Sequence, residues 1–153
     1  MAIIDPYFQP EKKCIKVLDE LLLVSESGKN KLKKIYIFTA FSKDLRSKNE
    51  AQTSYQELLK QWAEKGVEFE VTRLRDDALD FDFHARYLLA DKGGLKYDRG
   101  FVEPNDYAKR EQKTDVACLE SETNKSLKTQ YVDNLDPKYF VDKLIIDSNF
   151  RSN

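Results

Sequence analysis

The apolar positions of this chain recur with two different periods, and each change of period marks a new element. Cys14, Val17, Leu18, Leu21 and Leu22 return at the spacing of one helical face, with Pro10 and Glu11 suited to a first turn and a stop near Ser27-Gly28. Before them, Ile3-Ile4-Asp5-Pro6-Tyr7-Phe8 reads as a short extended segment ending at a turn, because Pro6 disfavours helix for the residue before it. The near-continuous apolar run at 35–40 predicts a strand covered on both faces and therefore central in a sheet. A polar stretch, 42–49, precedes a second amphipathic helix whose stripe is Tyr55, Leu58, Leu59 and Trp62, with Gly66 as its C-terminal stop. Val67, Phe69 and Val71 then alternate with Glu68, Glu70 and Thr72, the pattern of a half-buried strand.

After a loop at 73–80, residues 81–89 alternate again. Phe81, Phe83, Ala85, Tyr87 and Leu89 share the face expected to be core, and Asp82, His84, Arg86 and Leu88 share the other. Gly93-Gly94 signals a hairpin turn, with Leu95, Tyr97 and Phe101 on the return strand. The polar stretch 104–113 reads as an exposed loop, 116–119 as a strand, 122–131 as a polar helix, and 137–146 as a last helix carrying Tyr139, Phe140, Leu144 and Ile145. A frayed tail, 148–153, closes the chain. The expected fold class is α/β: one domain, residues 1–147, with a mixed β-sheet flanked by helices and no internal repeat.

Composition narrows the function classes. With 153 residues, 41% of them apolar, the chain can bury one substantial core. Its 26 basic and 27 acidic residues nearly cancel, so attraction to nucleic acid or to an anionic membrane must come from local patches. Two such patches are Lys29, Lys31, Lys33 and Lys34, and Lys96, Arg99, Lys109, Arg110 and Lys113. Near anionic lipid each such charge contributes about 1 kcal/mol. The apolar runs at 21–24 and 35–38 fall far short of the roughly 20 residues that span a bilayer, and the N-terminus lacks the basic and apolar regions of a secretory signal. A cytoplasmic location is expected. Cys14 and Cys118 lie in apolar patterns without metal-ligand spacing and are expected as buried thiols. Asp76, Asp77, Asp80 and Asp82 lack the calcium-loop spacing, so no metal and no other cofactor is expected.

The chemistry concentrates at the only histidine. His84 and Arg86 are two residues apart, which in an extended segment places them side by side, and Asp91 follows five positions after Arg86. Imidazole has a neutral, nucleophilic form near neutral pH, and guanidinium offers a planar fork of donors that suits phosphate. The segment resembles the His-x-Lys-four-residues-Asp signature of the phospholipase D superfamily, with arginine in place of lysine. That resemblance implies His84 as nucleophile or acid, Arg86 as phosphate clamp and Asp91 as orienter. Such chemistry takes two histidines, so an active form of this chain would have to be a symmetric dimer.

The collinear order of further features sharpens the likeness: Ile4-Asp5-Pro6-Tyr7, the strand at 35–40, Gly66-Val67-Glu68-Phe69-Glu70-Val71, His84-Ala85-Arg86, Asp98-Arg99-Gly100-Phe101 and Thr114-Asp115-Val116-Ala117-Cys118. Over roughly residues 3–131 the chain resembles the MIT C-terminal family of phospholipase-D-like domains. The resemblance implies a homodimeric phospholipase-D-like fold that lacks the catalytic constellation and binds acidic phospholipid surfaces. Such domains also occur in bacteria, some in defence or signalling systems. Where the superfamily's enzymes place Gly-Ser and then Asn, this chain has Asp98-Arg99-Gly100-Phe101, so the hydroxyl and amide that help hold the phosphate are missing.

The expected function is a non-catalytic, dimeric binding module, peripheral to the membrane, with Arg86, Lys96 and Arg99 as its anion-binding residues. Its partner is expected to be an anionic membrane lipid, phosphoinositide first, or a phosphate-bearing or protein partner, with nucleic acid a lesser alternative. The competing reading is a phosphodiesterase or nuclease assembled as a homodimer with one His84 per subunit.

Overall fold

Parallel neighbours in a sheet need crossover connections, and the first half of the chain supplies two. In the computed structural model, which describes residues 1–26, 31–75, 79, 81, 83–97 and 115–149, strand β1 (Ala2–Ile4) leads through helix α1 (Lys12–Glu26) to β2 (Lys34–Ala40), parallel to β1. Helix α2 (Lys48–Ala63) then carries the chain to β3 (Glu68–Leu74), parallel to β2. A capping box starts α2: the Glu50 N–H donates to the Ser47 hydroxyl at 3.1 Å, and the Ser47 N–H donates to the Glu50 carboxylate at 3.2 Å. Two otherwise unpaired donors of the first turn are thereby satisfied, and the helix begins inside the stretch expected to precede it. Gly66, at φ +89°, ends the turn that follows α2, a conformation glycine adopts without steric cost.

The rest of the sheet is antiparallel. Strands β4 (Arg86–Ala90), β5 (Gly93–Tyr97) and β6 (Val116–Cys118) are followed by α3 (Ser121–Lys128), a π-helical turn at Thr129–Asp133, a 3-10 turn at Pro137–Tyr139 and β7 (Phe140–Ile146). The result is a seven-stranded mixed sheet in the order β6-β5-β4-β1-β2-β3-β7, flanked by three helices. Leu18, Leu22, Tyr55, Leu59 and Trp62 of α1 and α2 pack with Ile3, Ile35, Ile37, Phe69, Val71, Leu144 and Ile146. The alternate residues Ile4, Phe38 and Leu89 join Leu74, Phe83, Tyr131 and Tyr139 in a second cluster. Strand β2 contributes to both clusters and lies between β1 and β3, so it is central and covered as its apolar run requires.

Several expectations are corrected. Residues 137–146 form a 3-10 turn and a strand, not a helix. Val141, Ile145 and Ile146 are β-branched and favour a pleated surface, and pairing with β3 buries Leu144 and Ile146 on one face. Strand β3 is not half-buried, since Val71 to Leu74 are all buried. Arg73, expected to begin a loop, is 1% exposed within that strand. The motif strand is shorter than the expected 81–89, although Phe83 is buried as that pattern requires. The hairpin turn is Asp91-Lys92, because Ala90 pairs with Gly93. Gly94 serves close approach instead: a Cβ there would lie 2.5 Å from Asn124 Oδ1 and 2.9 Å from Leu119 Cδ1. Cys14 is buried but Cys118 is exposed, because β6 is an edge strand whose three residues all face solvent. Lys29, the aspartates 76, 77, 80 and 82, and the loop at 104–113 lie outside the described residues.

Candidate functional site

The site builds from the carboxyl end of β1, between β2 and β4. Asp5 follows directly on Ile4; its N–H donates to the Phe38 carbonyl at 3.0 Å, and its Oδ1 accepts from the Tyr7 N–H at 2.9 Å. That second bond, with Pro6 fixing the dihedral between, is an Asx-type turn. The loop is anchored further on, where the Phe8 carbonyl accepts from Thr39 Oγ1 at 2.8 Å and from the Tyr55 hydroxyl at 2.9 Å. Asp5 is thus held, 1% exposed, at one position of the sheet end.

Sheet register brings Arg86 to it. Ile4 pairs with Tyr87, so the residue that opens β4 stands level with the residue that follows β1. Arg86 Nε lies 3.5 Å from Asp5 Oδ1, and the guanidinium carbon lies 4.7 Å from the centroid of the Tyr7 ring. The Arg86 side chain is 20% exposed. Across the next pair of strands Arg86 faces Tyr97, whose phenol is pushed well above its ordinary range by burial and, secondarily, by the Asp5 charge. The arrangement is a cation against a buried carboxylate, with one aromatic ring over the guanidinium and another cross-strand from it. Cation–π contact and ion pairing restrict the guanidinium plane, leaving less rotamer freedom to lose when it hydrogen-bonds.

The other expected site residues are distributed differently. His84 is exposed and precedes β4, so the strand alternation that was to set it beside Arg86 does not reach it. Asp91 sits at the far end of β4, where Lys128 Nζ donates to its carboxylate at 2.5 Å and holds it below the usual carboxylate range. Ala85 and the five residues of β4 separate His84 from Asp91, and the strand alone accounts for a rise of roughly 17 Å. Lys96 is exposed on β5, but it pairs with Tyr87 and so points to the opposite sheet face from Arg86. Arg99 lies outside the described residues. The structure therefore brings Arg86 to Asp5, Tyr7 and Tyr97, and brings together neither His84 with Asp91 nor Arg86 with Lys96.

Asp5 and Tyr7 are the residues that pattern reading missed as site residues. Their signal was present: a carboxylate placed directly after an apolar strand and before a proline turn, where a buried charge demands a partner. Among the described residues no three histidine, cysteine or acidic side chains gather as a potential metal site, and no helix is long and apolar enough to cross a membrane. Compared with known proteins, the chain matches no family model, no curated protein and no solved structure.

Proposed function

We propose that the chain is a non-catalytic, phospholipase-D-like binding module that works as a homodimer and engages phosphate-bearing anions, membrane lipid headgroups first, through Arg86. The observation that carries this reading is the environment of Arg86: a guanidinium only partly exposed, oriented by Asp5 and Tyr7 at the carboxyl end of β1. Catalysis is disfavoured because Asp91, the residue that would orient an imidazole, is engaged by Lys128 at the other end of β4. An incoming phosphate has to share Arg86 with the Asp5 carboxylate. Binding through this site is accordingly weak and salt-sensitive, and it strengthens when that competing charge is removed.

The test titrates protein with vesicles containing anionic lipid at low and high salt. Arg86→Ala abolishes the binding, whereas Asp5→Asn, which keeps the oxygen that accepts the Tyr7 N–H, tightens it several-fold. Failure of both variants to change binding overturns the reading. A chromogenic phosphodiester and single- and double-stranded DNA are incubated in parallel with a His84→Ala control. Cleavage lost in that control selects the dimeric phosphodiesterase instead. Light scattering at several concentrations tests the homodimer, and a monomer throughout removes it.

A further inference from the structure

Cations lie against several aromatic rings of this protein, and one of those rings is unlike the others. Among the described residues, Trp62 and Tyr139 are 2% and 6% exposed and pack in the two apolar clusters, and Tyr36, Phe41 and Phe140 are half-buried. Tyr7, which lies against Arg86, is 52% exposed and joins neither cluster. Core packing therefore does not account for an aromatic side chain at this position. The ring stands just past the carboxyl end of β1, where β1, β2 and β3 run parallel, and that is the side of an open α/β sheet on which ligands ordinarily bind.

The loop that carries the ring is fixed at both of its sides. The Tyr7 N–H donates to Asp5 Oδ1 at 2.9 Å, and the Phe8 N–H donates to the Asp5 carbonyl at 3.0 Å. With the guanidinium carbon 4.7 Å from the ring centroid, one face of the ring is taken, and the exposure of the side chain belongs to the other face and the hydroxyl edge. A cation on one face draws π density toward itself. The open face then suits a flat ring stacked on it better than a second cation. Because the ring is already held, stacking on it costs little further ordering.

We infer that Tyr7 is a second ligand-contacting residue of the Arg86 site and that the two together take a nucleoside monophosphate. The base stacks on the open face of Tyr7, and the phosphate meets the guanidinium along the edge that Arg86 keeps toward solvent. The inference rests on the proposed phosphate contact of Arg86 and adds a ligand class to it. Reach selects that class: a base one stacking distance beyond the ring lies roughly 9 Å from the guanidinium carbon. The sugar between phosphate and base supplies the length.

NMR titration of the full chain with adenosine monophosphate and with ribose phosphate tests this. Adenosine monophosphate binds about tenfold tighter than ribose phosphate, with the adenine and Tyr7 ring protons shifted upfield by stacking. Tyr7→Ala, whose melting temperature is checked first, removes that advantage and leaves the ribose phosphate affinity as it was; Tyr7→Leu serves if the alanine variant fails to fold. Tyr7→Phe keeps the advantage, because the ring and not the hydroxyl stacks. Adenosine monophosphate no tighter than ribose phosphate, or an advantage that persists in Tyr7→Ala, overturns the inference while the Arg86 reading stands. Equal weakening of both ligands in Tyr7→Ala also overturns it, since Tyr7 then only holds Arg86 in place. Ribose phosphate binding unchanged in Arg86→Ala removes the Arg86 reading and this inference with it. Single-stranded oligoadenylate without a terminal phosphate distinguishes the source. Binding as tight as that of adenosine monophosphate supports a nucleic-acid strand as ligand, and binding of adenosine monophosphate alone supports a free nucleotide.

Discussion

A guanidinium buried in a sheet must have its donors taken, and Arg73 finds acceptors on two other segments. Nε donates to Asp142 Oδ1 at 2.7 Å, a second nitrogen donates to Asp142 Oδ2, and a third donates to the Leu45 carbonyl. Removing the carboxylate leaves a charge in the interior without its counter-ion, and the desolvation cost of that charge dominates the outcome. Asp142→Ala is expected to lower stability by about 3–5 kcal/mol, read from urea unfolding midpoints at a constant slope. Arg86 and Asp5 form a looser pair, 3.5 Å apart with the arginine 20% exposed, and so retain an edge toward solvent that Arg73 lacks. That contrast fits Arg73 to a structural role and leaves Arg86 the one of the two that the proposed binding function can use. Neither carboxylate partner could be chosen from spacing, because each lies far along the chain from its arginine, Asp142 on β7 and Asp5 just after β1.

The elements show the same division between local and distant causes. Helix α2 declares itself through its stripe and its Gly66 stop, and its Ser47/Glu50 capping box was also present in the sequence at 47–50. Strand β7 does not declare itself, because Tyr139, Phe140, Leu144 and Ile145 also satisfy a helical face. The open edge of β3 decides the matter by pairing with Phe140–Ile146. The glycines of β5 were misread for a related reason. Gly-Gly is a turn signal in isolation, yet here α3 packs so closely that Asn124 Nδ2 donates to the Ala90 carbonyl at 3.0 Å and its Oδ1 occupies the space over Gly94. Gly94→Ala is expected to cost about 1–3 kcal/mol through this overpacking, whereas Gly93→Ala, with nothing within 4 Å, is expected to be much milder. Thermal melts of the two variants side by side check the difference.

For the molecule as a whole, the described carboxylates with resolved shifts all move the same way. Glu50, Glu70, Asp91 and Asp136 are each held below the ordinary value. Glu70 is the most enclosed of them: burial acts to raise it and is outweighed by Lys143, 2.6 Å away, and by Lys34. A depressed folded-state pKa means stability that is present above the unfolded value of about 4.3 and is lost as pH falls through the lower folded value. The melting temperature is therefore expected to fall between about pH 5 and about pH 3, and Glu70→Gln to flatten part of that fall in calorimetric scans. Most helices and strands, the central place of β2 and the interest of Arg86 could be read along the chain, because periodicity and side-chain chemistry are properties of neighbouring residues. The strand at 140–146, the pairing of Arg73 with Asp142 and the meeting of Arg86 with Asp5 could not. Those depend on which strands lie side by side and which sheet face each residue takes, and the free energy that selects them comes from burying charge and apolar surface contributed by residues far apart in the chain.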